Sequence, residues 1–411
     1  MNLFSATVAL FLALVPQDPQ DGSKAPKRRP ARDSDKPKEK YVPAVPLPDD
    51  YVRFVRVPEG GHEPRVALRG EHAPALLFAR GEGSGVDLYL TRTSDDGATF
   101  APAVRINSEA GSVASVEGRH SGTLELGPDG RAHVTWIRAG AQPTILYTRE
   151  NEAGAFEPPL ELGSPPELTS TAAVAVSRAG EVFLFYGARE EVAPEGEPVR
   201  RIYMRKCPVG GAFSAPVPIG ARKHDVSLGS TLDAHFDEVL GILYVLYRCS
   251  YDVKEGDDST SRDMRLLASE NDGLEFKPSL VNSWKRKTDP RTFASLLQHE
   301  DTTLACWEGE GLVYWAAIRR QLGKIEVPSS PRDDEQLYWR SSAAAAVSGS
   351  NVLVAWLERP RDDRKAAPTL GWQVWLKEGR VPAGSGHATE APSPHPPAVI
   401  ARKAGGFTIV Y

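Results

Sequence analysis

The chain has 411 residues, a net charge of −5, 36 glycines, 34 prolines and 8 tryptophans. The weak negative balance excludes a general nucleic-acid binder held by a basic surface, and the shortage of windows with helical period favours an all-β domain. Cys207, Cys249 and Cys306 are too few and too scattered for a disulfide framework or a zinc site, so free thiols are expected.

Leu3 to Val15 is a mostly apolar run of signal-peptide length and too short to span a bilayer, so residues 1–17 read as an export signal. The expected location is secreted or periplasmic, with no stable membrane span. Residues 18–50 are rich in Pro, Lys, Arg and Asp and contain almost nothing apolar, which leaves no burial to repay ordering; a disordered linker is expected. The cluster Lys27-Arg28-Arg29 within it reads as a solvated stretch.

From Tyr51 to Tyr411 one unit recurs: a small-residue strand, a turn, a strand ending in an aromatic, a loop, a third strand, a second turn and a fourth strand. The second strands mark the period: Ala75–Phe78, His133–Trp136, Phe183–Tyr186, Leu243–Tyr247, Leu304–Trp307, Val352–Trp356 and Thr408–Tyr411. The residues sixteen positions before each terminal aromatic are His62, His120, Ser170, Thr231, Arg291, Arg340 and His395, spaced 49 to 61 residues apart. Four short strands per repeat of about fifty residues are the signature of propeller blades. Seven are counted, with six as the alternative. The last repeat holds only Ala398–Ala401 and Phe407–Tyr411, and Tyr51–Val57 reads as a fourth strand that pairs there and joins the chain ends.

The turn between the third and fourth strands of the first repeat is Thr93-Ser94-Asp95-Asp96-Gly97-Ala98-Thr99-Phe100, a T-x-D-x-G-x-T-F pattern. Asp95 is suited to accept backbone N–H bonds, Gly97 to take positive φ, Thr99 to close the turn and Phe100 to bury between sheets. Ser269, Asn271, Gly273 and Phe276 repeat the frame, and eroded copies end at Ala155-Phe156 and Ala212-Phe213. This resembles the Asp-box of the sialidase superfamily, whose propellers are usually six-bladed.

In a four-stranded meander these turns lie on one face, and the starts of first strands and ends of second strands lie on the other. Candidate chemistry therefore belongs to the second face. It carries His62, Arg65, His120, Arg291, Arg340 and His395, and it also takes the longest insertions, 189–201, 248–263 and 359–369. Arginines ringing a mouth suit a carboxylate or sulfate ligand, while each taken singly also fits a solvated strand end. The three histidines come near the axis if the blades close in this order. With no acidic partner assigned to them they read as ligand-binding groups, and neither a metal nor a cofactor is expected.

The resemblance implies more. A sialidase grips its substrate carboxylate with three arginines, for which Arg65, Arg291 and Arg340 stand as candidates, although Pro64-Arg65-Val66 replaces the family's aromatic-Arg-Ile-Pro motif. It would assign Asp87 as acid/base, Tyr338 as nucleophile and Glu308 as the group activating Tyr338. The implied function is a secreted exo-α-sialidase-like propeller acting on or binding terminal acidic sugars of glycans. The alternative is a non-catalytic propeller that binds glycan or protein ligands through the same face. The expected partner is a glycan or other anionic small molecule, and the expected state a monomer.

Overall fold

In a computed structural model of the protein, the described residues are 47–411 without 84, 116–119, 169–170, 193–195, 223, 227–230, 253–259, 287–293, 300–301, 310, 319–336, 364, 377–380 and 393–394. The chain divides into Met1–Pro43 and Ala44–Tyr411. The signal-like segment and nearly all of the linker lie outside the described residues, as does Arg291.

The domain is a seven-bladed β-propeller, which settles the blade count against six. Its inner strands are His62–Ala67, Gly122–Leu126, Ala173–Val176, Leu232–Asp237, Ala294–His299, Tyr338–Ser348 and Ala398–Ala401, for blades 1 to 7. Blades 1, 2, 3 and 6 have four strands; Asp225–Val226 adds a fifth to blade 4, and blades 5 and 7 show three among the described residues. Each inner strand abuts the next, and the last meets the first.

The ring follows from strands that are apolar on both faces. In blade 4, Leu243, Val245 and Tyr247 pack on blade 3, while the alternate residues Tyr244 and Leu246 pack on blade 5. A period of two therefore supplies both sides of one sheet. The outcome is seven separate cores, one at each blade interface, in place of one central core. Trp136, Trp307 and Trp356, each ending a second-strand signature, are fully buried in these cores.

Chain closure differs in detail from expectation. Val52–Val55 pairs with Phe407–Val410, but in parallel register, Val52 opposite Phe407 and Val55 opposite Val410. It runs in the direction of a fourth strand and takes the position of a third, beside Phe407–Val410. That direction delivers the chain to the face where the inner strand of blade 1 starts. Backbone bonds from Val57 N to Tyr411 O (2.8 Å) and from Tyr411 N to Val55 O (3.0 Å) tie the ends.

In blades 1 to 4 the third-to-fourth-strand turns staple the blade to its predecessor. In blade 1, Asp95 Oδ1 accepts from Thr99 N (2.8 Å) and Thr93 Oγ1 (2.8 Å), and its Oδ2 accepts from Thr99 Oγ1 (2.6 Å). Gly97 has φ of 81°, and a Cβ there would lie 2.8 Å from Ile400 Cδ1 of blade 7, so both backbone sterics and the neighbouring blade require glycine. In blade 4, Asn271 Oδ1 accepts from Glu275 N (2.9 Å), and Gly273 (φ 82°) sits against Met204 of blade 3. The terminal phenylalanines follow suit. Phe276 meets Phe185 edge-on at 6.3 Å, Phe213 meets Tyr147 at 5.0 Å, and Phe100 and Phe156 pack on the cores shared with the preceding blades.

Candidate functional site

The face on which inner strands begin, here the upper face, gathers side chains from repeats far apart in the chain. At its centre are blades 7, 1 and 2, which bring together His395, His62 and His120. What they meet on is Glu63, the acidic partner that the sequence reading lacked. Glu63 is 4% exposed, and it has a left-handed backbone, φ 55°. The pairing with the second strand of blade 1 slips between His62 and Arg65, so a bulge replaces strict alternation. Two consecutive residues thereby turn to the same side: His62 Nδ1 lies 3.7 Å from Glu63 Oε1.

The rest of the cluster is built round that carboxylate. Glu63 Oε2 accepts from Ser121 N (2.9 Å) and Ser121 Oγ (2.7 Å). His395 Nδ1 is 3.9 Å from Glu63 Oε1, and the rings of His62 and His395 stack with centroids 4.3 Å apart. His62 Nε2 is 2.8 Å from the carbonyl oxygen of Gly81, and His120 Nδ1 is 3.3 Å from the carbonyl oxygen of Glu63. Burial alone would raise the pKa of Glu63, but the facing His62 imidazole and the hydrogen bonds from Ser121 hold it below the ordinary carboxylate value. Burial, with the Arg65 charge nearby, pushes His120 down to about 4. Burial and the charge of His62 lower His395, whereas at His62 the opposing pull of burial is outweighed by Glu63 and the Gly81 carbonyl, and its pKa is raised.

Arg65 follows Glu63 by two positions and crosses the channel. Its guanidinium forms an ion pair with Asp233 of blade 4, which is 1% exposed. The other oxygen of Asp233 accepts from Leu296 N of blade 5 at 2.7 Å. Three blades are thus linked through one carboxylate at the axis.

Arg340 sits elsewhere, in a buried group of blade 6. Its Nε is 3.7 Å from Glu358 Oε2, and its guanidinium carbon is 5.1 Å from the Trp356 ring centre. Glu358 also accepts from Trp356 Nε1 (2.9 Å) and pairs with His387, whose ring lies 5.3 Å from that of Tyr338. Glu308 Oε2 accepts from Ser342 N at 2.7 Å, and Ser342 is a second residue at φ 55° beside a strand slip, between Ser341 and Ala344. Asp87 Oδ1 accepts from Asn107 Nδ2 (2.6 Å) and Gly111 N (2.7 Å), which anchors the connection from blade 1 to blade 2.

The structure therefore brings the three predicted histidines together and gives Arg65 and Arg340 separate carboxylate partners. Asp233 and His387 escaped sequence reasoning. Asp233 carries a local signal, an acid set between the apolar Leu232 and Ala234 of an inner strand, whereas His387 stands in a polar fourth strand with nothing to mark it. The opposite end of the channel opens into a cavity of about 570 Å³ lined by Arg69, Glu71, Glu125, His235, Glu238 and Arg402. There Arg69 donates to Val176 O (3.3 Å), Ser177 O (3.1 Å) and Glu238 Oε1 (2.8 Å), tying the inner ends of blades 3 and 4.

No protein-family model matches the chain, and no curated protein matches it. Solved structures do. An α-L-arabinofuranosidase of family GH93 from Fusarium graminearum, solved with arabinobiose, aligns over 81% of this chain and 96% of its own at 9% identity and a TM-score of 0.50. A protein of unknown function from Dyadobacter fermentans aligns over 79% and 98% at 15% identity, TM-score 0.48, and a Hadza microbial sialidase over 77% and 69% at 12% identity, TM-score 0.44. What the chain shares with the arabinofuranosidase is the propeller fold. No helix among the described residues is long and apolar enough to cross a membrane.

Proposed function

We propose that this protein is a glycan-binding β-propeller that recognises its ligand on the upper face, round the mouth formed by blades 7, 1, 2 and 6. The observation that carries the reading is the commitment of the groups a sialidase-type hydrolase would need. The described arginines Arg65 and Arg340 are each matched to a buried carboxylate of the protein, and Asp87 Oδ1 accepts two loop hydrogen bonds. A substrate carboxylate would have to displace those internal partners, leaving Asp233 or Glu358 buried without its arginine. Recognition without turnover makes no such demand. Tyr338 and His387, both half-buried, and His395, whose side chain is 36% exposed, supply an aromatic and polar rim. Sugar as the ligand class is supported by the arabinofuranosidase that shares the fold; fold alone does not specify function, so that support is by analogy. The secreted or periplasmic location belongs to the same proposal and rests on the apolar run Leu3–Val15.

The test uses the full chain on a glycan array, with fluorogenic α-sialoside and α-L-arabinofuranoside assayed beside it. Saturable glycan binding with no fluorophore release is expected. Release that disappears in Tyr338→Phe would overturn the reading in favour of a hydrolase.

A further inference from the structure

We propose that His62, Glu63 and His395 form a binding site for one divalent transition-metal ion, zinc by preference, at the seam where blades 7 and 1 close the ring. The ligand atoms of these three residues all lie within 4.8 Å of one another. Donors bound about 2.1 Å from a tetrahedral zinc stand roughly 3.4 Å apart. The separations of 3.7 Å from His62 Nδ1 to Glu63 Oε1 and 3.9 Å from His395 Nδ1 to the same oxygen need only a small inward movement. Rotation of the partly exposed His395 ring would supply most of it.

Three further features distinguish this group from a chance cluster. First, the outer hydrogen bonds are already in place. Gly81 O accepts from His62 Nε2, which fixes the ring with Nδ1 turned toward Glu63, and Nδ1 is buried at 3.7 Å from Oε1, beyond hydrogen-bond distance. Ser121 likewise occupies Glu63 Oε2 twice and leaves Oε1 toward the two imidazoles. Second, the bulge and the left-handed backbone at Glu63 are what point His62 and Glu63 to one side, a local distortion of the kind kept where a side chain must be re-aimed. Third, the donor set is two imidazoles and one carboxylate. Imidazole nitrogens suit zinc and its neighbours, whereas calcium and magnesium take oxygen cages. Three protein ligands leave one coordination position for water or an incoming oxygen ligand. Because His395 comes from the last repeat and His62 and Glu63 from the first, a bound ion would also latch the propeller at its closure.

The experiment takes the full chain, without an affinity tag, stripped with chelator and desalted. Zinc is titrated calorimetrically, and cobalt(II) is followed by its visible absorption. One equivalent of each ion is expected, with the intense visible bands of four-coordinate cobalt. His395→Gln, at a partly exposed side chain, should leave the melting temperature of the metal-free protein unchanged and weaken zinc on the order of 100-fold. Cys207→Ser should bind as the parent does. The proposal is overturned if the folded, metal-free chain takes up no stoichiometric zinc, if His395→Gln binds as tightly as the parent, or if Cys207→Ser is the variant that loses the ion. None of these outcomes depends on glycan binding, so the two proposals fail separately.

Discussion

Replacing Asp233 by alanine should be among the most damaging single changes in the domain. Its carboxylate is completely enclosed, pairs with Arg65 across the channel and accepts the Leu296 amide at 2.7 Å. Burial pushes the Asp233 carboxyl up in spite of the neighbouring guanidinium, so the cost of taking the charge out of water exceeds what Arg65 returns. Removing only the acid leaves Arg65 with a side chain 14% exposed and no counter-charge at that oxygen, and a loss of about 3–5 kcal/mol is expected. Changing both residues to apolar ones, Arg65→Met with Asp233→Leu, removes the stranded charge and leaves chiefly the Leu296 amide unsatisfied, which costs about 1–2 kcal/mol. The double variant should therefore regain about 2 kcal/mol over the single one. Equilibrium unfolding in denaturant, followed by the fluorescence of the 8 tryptophans, measures both as shifts in midpoint at constant slope. A loss below about 1 kcal/mol for Asp233→Ala, or a double variant no better than the single, would show that the pair does not behave as a buried charge couple.

Three further outcomes are expected. Phe276→Ala, which empties the half-buried slot against Phe185 between blades 3 and 4, should cost about 2 kcal/mol by the same assay, and a cost under about 0.5 kcal/mol would remove the stapling role of that turn. Burial holds His133 down at about 4, below the ordinary 6.5, so its contribution to stability is complete above pH 6.5 and drains as pH falls toward 4. At about 1.4 kcal/mol per pH unit, His133→Gln should visibly flatten the acid limb of the stability profile; identical limbs would refute the assignment. Asp95 is held down at about 2 by its bonds from Thr99 and Thr93, against an ordinary 3.8, so its stabilising effect is present above pH 3.8 and is lost as pH falls through 2. Asp95→Ala should lower the melting temperature at pH 7, and the gap to the parent should narrow near pH 2; a gap independent of pH would mean that the charge is not what closes the turn.

Repeat number, blade order and the stapling turns could be read directly from the chain, because each depends on residues close together in it. Alternating apolar positions such as Leu243, Val245 and Tyr247 declare two packed faces, and the offsets between Thr93, Asp95, Gly97 and Thr99 are those of a single turn whose bonds form locally. The upper-face position of His62, His120 and His395 followed from the same period. Their common partner did not: Glu63 joins them only because a bulge turns it against the expected alternation, and alternation was the rule on which the sequence reading relied.

What belonged to the tertiary structure alone was the pairing of the buried charges. Arg65 and Asp233 are 168 residues apart and Arg340 and Glu358 are neighbours in one sheet, yet in the sequence all four are simply polar residues near strand ends. Closing the ring also placed Val52–Val55 in the third position of the last blade, beside Phe407–Val410. Local pattern specifies which residues a strand buries, whereas the partner of Arg65 is chosen by the blade that faces it across the axis. That choice exists only once all seven blades have met.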